Sequence, residues 1–162
     1  MKYLFVDDQP NYLDTHQDTL KDAGHEVEVV RDIGDAWSRI EKERENGTPF
    51  ELVIIDLGLD REIPEFESEN RELRKDFRAR SGQALGLRLW RRRKELKQRY
   101  CYLTNNPWIL VEADGGDSEF GGKTQEELDS ILVLDKSGVW PKDIEGKLQR
   151  AYEKWQEEGW LP

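Results

Sequence analysis

The sequence predicts a single α/β domain built on a parallel sheet covered by helices on both faces. Three observations lead there. Short apolar runs at residues 3–6 and 52–55 read as strands buried on both faces. Each run is stopped abruptly by aspartate, Asp7 and Asp8 after the first and Asp56 after the other. Between the runs lie segments with apolar residues at helical spacing, and strands alternating with helices imply parallel pairing through right-handed crossovers. At 162 residues the chain is long enough to bury one good core and too short for two ordinary domains.

Taken in order, residues 3–6 give the first strand. After Pro10, apolar positions Tyr12, Leu13, Leu20 and Ala23 mark a first helix that Gly24 terminates. Residues 26–30 give a second strand, and Ala36, Trp37 and Ile40 mark a second helix that fades into the polar stretch 41–48. Residues 52–55 are the most apolar stretch, with β-branched Val53, Ile54 and Ile55, and form the central strand. Residues 58–80 are an insertion into the alternation. They carry Ile63, Phe66, Leu73 and Phe77 near heptad spacing, which fits an extra helix with a narrow apolar stripe or, equally, a polar excursion. A helix over 81–98 follows, with Leu85, Leu89 and Leu96 on one side and arginines on the other. Residues 100–104 form the fourth strand. The Gly-Gly pairs at 115–116 and 121–122 make 114–123 a flexible loop. Thr124 and Glu127 then resemble a capping box opening a short helix, and residues 131–134 form the fifth strand. Pro141 opens a closing helix along Ile144, Leu148, Ala151 or Tyr152, and Trp155. The domain is thus expected over 1–157, with a short tail at 158–162.

Composition narrows the function. A formal net charge of -10 argues against a protein that neutralises nucleic-acid phosphates. The basic run Arg88, Arg91, Arg92, Arg93, Lys94, Lys97 and Arg99 reads as the solvated face of a helix sooner than as a nucleic-acid strip. The single cysteine, Cys101, permits no internal disulfide and suits a reducing compartment. No apolar run spans a membrane and no signal peptide opens the chain, so a cytoplasmic location is expected.

In an open parallel sheet, ligands bind beyond the carboxyl ends of the strands. The residues there are Asp7, Asp8, Asp56, Thr104 and Lys136. Clustered carboxylates repel and raise one another's pKa, and a divalent cation relieves that repulsion. Hard oxygen ligands with room for water suit Mg²⁺. A carboxylate is also a nucleophile able to give an acyl phosphate, with Lys136 and a metal offsetting charge on the transferred group. Singly, each residue has an ordinary explanation, Asp as a turn residue, Lys as a surface group, Thr as a strand former. Their placement at one end of successive strands carries the argument.

The segments Val6-Asp7-Asp8, 52–56, Leu103-Thr104 and Leu134-Asp135-Lys136 occur in the order and setting of two-component response-regulator receiver domains, which this chain resembles. LKDAGHEV at 20–27 and Ser81-Gly82 resemble the family's first-helix exit and third-helix start. The resemblance covers most of the chain and implies a flavodoxin-like, CheY-like three-layer sandwich with a five-stranded sheet of order 2-1-3-4-5. It implies that Asp7, Asp8, Asp56 and the Gly58 carbonyl hold Mg²⁺, that Asp56 is the phosphoacceptor, and that Thr104 and Lys136 contact the phosphoryl group. Several positions depart from the pattern: Ser137 replaces the usual proline, Val133 the usual aromatic residue, and Asn105 the usual small residue.

The expected function is therefore a stand-alone receiver phosphorylated on Asp56 by a histidine kinase or phosphotransfer protein, in a phosphorelay, with output through a partner protein. The family's output face would include or lie near Trp108, Trp140, Trp155 and Trp160, and a homodimer is compatible with it. The alternative is a divergent receiver that binds a partner without phosphorylation, a helix in its insertion lying over the pocket or replacing the usual docking surface. No catalysis beyond self-phosphorylation and autodephosphorylation is expected. A dehalogenase-type phosphatase would need its general acid two residues past a first-strand aspartate, and Asp7 is followed by Asp8 and Gln9.

Overall fold

The computed structural model of the chain describes residues 1–59, 63–73, 81–105, 110, 117–122 and 131–161. Its strands are β1 (Lys2–Val6), β2 (Glu26–Val30), β3 (Leu52–Ile55), β4 (Tyr100–Thr104) and β5 (Val133–Asp135). All neighbours pair in parallel, in the order β2-β1-β3-β4-β5. Every residue of β3 and β4 is buried, as continuous apolar strands between two helical layers must be. The helices are α1 (Asp14–Asp22), α2 (Ile33–Glu45), α3 (Glu67–Leu73), α4 (Ser81–Arg91), α5 (Arg93–Leu96) and α6 (Ile144–Glu157). Asp32 caps α2 by accepting from the Asp35 amide at 2.8 Å. Proline opens the 3-10 turns that lead into α1, α3 and α6, where its fixed φ suits a first turn.

Four elements differ from expectation. Tyr12 lies in the 3-10 turn Pro10–Leu13 and is 75 % exposed, so it is no part of a buried helical stripe. The helix expected over 81–98 breaks at Arg92, whose ψ of 17° leaves the helical region, and ends where Lys97 turns left-handed at φ 52°. β5 begins at Val133 rather than 131, because its register pairs Val133 with Tyr102. Tyr100, two residues earlier on β4, gives its carbonyl instead to the Trp155 indole N–H at 2.8 Å. Finally, within the stretch expected as a tail, Trp160 packs on Trp90, Phe120 and Trp155, with centroids 5.3 to 5.5 Å apart.

Within the insertion, the helical alternative is the one seen. A 3-10 turn (Pro64–Phe66) leads into α3, Phe66 and Leu73 are buried, and Phe77 lies outside the described residues. Arg88 of α4 clamps this helix. Its guanidinium sits 3.8 Å over the Phe66 ring and 5.0 Å over Trp37, and it donates to both Glu69 oxygens and to the Glu65 carbonyl. A stacked, bidentate arginine positions a helix as well as charge. Arg91 pairs with Glu72, Arg92 with Glu95 and Arg93 with Asp117, so much of the basic run has its charge matched inside the chain. Part of the 114–123 loop is ordered as a 3-10 turn (Glu119–Gly122), while Trp108 and the Thr124 capping box lie outside the described residues. Among the described residues no helix is long and apolar enough to cross a membrane.

Candidate functional site

Register brings the predicted residues together. Val6 pairs with Ile55 and Thr104 with Asp135, so the strand ends align and the residues beyond them meet at one edge. The Asp7 amide donates to the Val30 carbonyl at 3.0 Å, the Asp56 amide to the Val6 carbonyl at 2.9 Å, and the Lys136 amide to the Thr104 carbonyl at 2.9 Å. Each ladder thus continues one residue past its strand and fixes the functional side chain at its root.

The side chains then converge. Lys136 Nζ lies 2.9 Å from Asp56 Oδ2 and 2.7 Å from Asp7 Oδ2, and all three side chains are largely withdrawn from water. Burial works to neutralise Lys136, but the adjoining Asp7 and Asp56 carboxylates outweigh it and hold its pKa above the ordinary lysine value. Asp56 Oδ1 accepts from the Gly58 amide at 3.0 Å, and Asp7 Oδ1 accepts from the Gln9 amide at 2.8 Å, so both carboxylates are oriented by their own turns. Gly82, at the start of α4, presses against the Asp56 backbone. A Cβ there would lie 1.8 Å from the Asp56 carbonyl oxygen, so only glycine fits.

A cavity of about 160 Å³ opens over these groups, lined by Asp8, Gln9, Tyr12, Asp56, Gly58, Thr104, Asn105 and Lys136. Asp7 sits beneath it, 2 % exposed. Of these, Gln9 and Tyr12 were not marked by the sequence as site residues, and Asn105 only as a departure. Gln9 and Tyr12 follow the aspartate pair in the turn before α1, and that adjacency is the signal that could have found them.

The residues fit a hard divalent cation. Asp7, Asp8 and Asp56 each offer a carboxylate oxygen, all within 4.8 Å of one another. Asp7 Oδ2 lies at ion-pair distance from the Lys136 ammonium, and among the described residues this buried oxygen makes no well-formed hydrogen bond. Such a donor set, all oxygen and open on one side, is what Mg²⁺ takes.

No protein-family model and no curated protein matches this sequence. Solved structures do match in fold. A sensor protein from Polaromonas sp. JS666 superposes with a TM-score of 0.57 at 16% identity, over 94% of this chain and 95% of that one. The N-terminal domain of a response regulator/sensory box/GGDEF 3-domain protein from Carboxydothermus hydrogenoformans gives 0.54 at 13% identity, over 98% and 99%. The fold is that of a receiver domain. The expected sheet order 2-1-3-4-5 is present, and Asp7, Asp8, Asp56, Thr104 and Lys136 lie at the carboxyl ends of its strands, where open parallel sheets bind ligands. Val133 is buried in β5, Ser137 donates through its amide and hydroxyl to Asp135, and Asn105 lines the cavity.

Proposed function

We propose that the chain is a cytoplasmic receiver module that accepts a phosphoryl group on Asp56 in a Mg²⁺-dependent reaction and thereby changes its binding to a partner protein. The observation that carries this reading is the Lys136 ammonium, held between Asp7 and Asp56 at the floor of a small polar cavity. A cation fixed against a potential nucleophile is costly for a purely structural turn, and useful where negative charge accumulates.

In the step itself, an Asp56 carboxylate oxygen attacks phosphorus in line with the leaving group. The new bond is Asp56 O–P, the bond to the donor breaks, and the donor departs with the electron pair, as acetate when acetyl phosphate is used. Asp7, Asp8, Asp56 and the Gly58 carbonyl would hold Mg²⁺, which supplies charge neutralisation on the phosphoryl oxygens when bound. Lys136 would offset charge on the same oxygens, and the hydroxyl of Thr104, a residue that lines the cavity, would donate to the group once transferred. The Gly58 amide, already bonded to Asp56 Oδ1, leaves Oδ2 as the oxygen shared with Lys136. A histidine kinase or phosphotransfer protein is the donor class this chemistry calls for. The product is an acyl phosphate held by the protein, with no small-molecule turnover beyond its slow hydrolysis.

The reading that dispenses with phosphorylation drew on the insertion. Yet none of the described residues 63–73 lines the cavity, and α3 is clamped to α4 and α2 instead.

The test is intact mass after incubation with Mg²⁺ and acetyl phosphate. One phosphoryl adduct on the native chain, missing from Asp56→Asn, is the expected result. No adduct together with no Mg²⁺ affinity by titration calorimetry would overturn the proposal and leave a receiver-shaped binding module.

A further inference from the structure

Beside the acidic cavity opens a second, larger one that none of the chemistry above uses. It holds about 560 Å³ and is lined by Asp8, Gln9, Pro10, Asn11, Tyr12 and Arg31. Asp8, Gln9 and Tyr12 line both cavities, so the two meet along the turn after β1. Asp56, Thr104 and Lys136 line only the smaller one. A phosphoryl group in contact with Asp56 therefore occupies the smaller cavity, and the larger is open to whatever that group is attached to.

Register accounts for the cation on its wall. β2 is the strand next to β1, Val30 pairs with Val6, and the Asp7 amide donates to the Val30 carbonyl at 3.0 Å. Arg31, the first residue past β2, thus leaves the sheet at the same edge as Asp7 and Asp8. Its charge is not consumed within the described part of the chain. Arg39, Arg88, Arg92 and Arg93 each pair with a carboxylate, whereas among the described residues the exposed Arg31 side chain has no hydrogen bond or ion pair. A guanidinium presents its donors as a flat fork that matches a carboxylate. Asp8 on the shared wall would repel such an anion, but it belongs to the oxygen set that fits Mg²⁺, and a bound cation would offset it.

We infer that this second cavity is a leaving-group subsite, in which Arg31 receives the carboxylate released from an acyl phosphate and so favours acyl phosphates over phosphoramidates as small donors. This rests on the phosphoacceptor reading of Asp56. With acetyl phosphate the Asp56 O–P bond forms, the P–O bond to the acetyl group breaks, and acetate leaves with the electron pair and a full negative charge. In a loose transition state much of that charge already sits on the departing oxygen, and a cation beside it lowers the barrier. With phosphoramidate the P–N bond breaks instead, and the nitrogen, protonated beforehand, departs as neutral ammonia. Arg31 has no charge to offset there. It is a specificity-determining residue, distinct from Lys136, which serves the phosphoryl oxygens common to both donors.

The experiment follows labelling of the full chain by intact mass, with Mg²⁺ and either acetyl phosphate or phosphoramidate, in the native protein, Arg31→Gln and Arg31→Lys. The readout is the ratio of the two labelling rate constants, acetyl phosphate over phosphoramidate. Arg31→Gln should lower that ratio roughly 2- to 5-fold, the range of a solvent-exposed ion pair. Arg31→Lys keeps the charge and should restore most of it. Because Arg31 is exposed, neither variant disturbs the core. Labelling by both donors with a ratio unmoved in Arg31→Gln sinks the subsite and leaves the phosphoacceptor standing. A ratio lowered as far by Arg31→Lys as by Arg31→Gln means that charge is not what selects, and also overturns the inference. No adduct from either donor sinks both readings.

Discussion

Asp56 and Glu119 are both carboxyl groups drawn away from water, and α4 touches each through adjacent residues, Gly82 and Gln83. They are satisfied in opposite ways. Asp56 and Asp7 face a full positive charge, Lys136, beneath a cavity open to solvent. Among the described residues the hydrogen-bond donors to Glu119 are neutral: burial raises its pKa, and the hydroxyls of Tyr100 and Tyr102 with the Gln83 amide, then the charge of Arg91, oppose that rise. Burial first, and then the neighbouring Glu119, push both tyrosine hydroxyls well above their ordinary pKa. A charged partner that can be shared with an incoming cation or phosphate makes an exchangeable site. Neutral donors in an enclosed pocket make an attachment, which either holds or lets go.

The contrast gives graded consequences. The largest belongs to Lys136→Met, which strands two buried carboxylates. Stability without metal should fall by about 3–5 kcal/mol, and Mg²⁺ should recover part of it by binding only the folded chain. Urea unfolding with Mg²⁺ or with chelator measures both, and a midpoint untouched by the substitution would mean that water already carries those charges. Glu119→Ala comes next. Two tyrosine hydroxyls and an amide lose their acceptor at about 2–3 kcal/mol, a fall in Tm of roughly 4–12 °C for a domain of this size. Calorimetry should show no rescue by Mg²⁺, and a rescue would mean that the two clusters are not separate.

The smallest effect sharpens the comparison with a third carboxylate, Glu43, near the amino-terminal end of β1. Hydrogen bonds from Lys2 first, then Thr48 and Arg39, hold its pKa down to about 2, against an ordinary value of 4.5. Because the folded pKa is depressed, its contribution is fully present above pH 4.5 and is lost as pH falls toward 2. Denaturation midpoints of the native chain and Glu43→Gln should therefore differ at pH 6 and converge only below about pH 2. A gap that stays constant with pH would assign the effect to packing.

The exchangeable cluster was legible in the sequence and the attachment was not, for a physical reason. Strands buried on both faces must be continuously apolar, so a polar residue that ends one is conspicuous. Asp7, Asp56, Thr104 and Lys136 all announce themselves against such runs. Glu119 sits instead in a glycine-rich stretch that reads as mobile, and its donors lie 36 and 17 to 19 residues away on elements that read as ordinary helix and strand. Local pattern carries no trace of that meeting. The insertion was half legible: Phe66 and Leu73 are buried as their spacing suggests, but the Arg88 clamp that explains why α3 docks joins residues 19 and more apart. The break at Arg92 has no glycine or proline to signal it. Tyr12 looked like a core position because spacing cannot distinguish a 3-10 turn from the first turn of an α-helix.

The Trp155 indole on the Tyr100 carbonyl has a consequence for the solution behaviour of the chain. β5 covers only the carboxyl-terminal part of β4, and a strand that outruns its neighbour presents bare peptide groups, a template on which a foreign strand can add. By taking that carbonyl from the side, α6 closes the sheet with a ring rather than a strand. Trp155→Phe would keep most of the apolar bulk but reopen the margin, turning a well-folded chain into one prone to edge-to-edge aggregation.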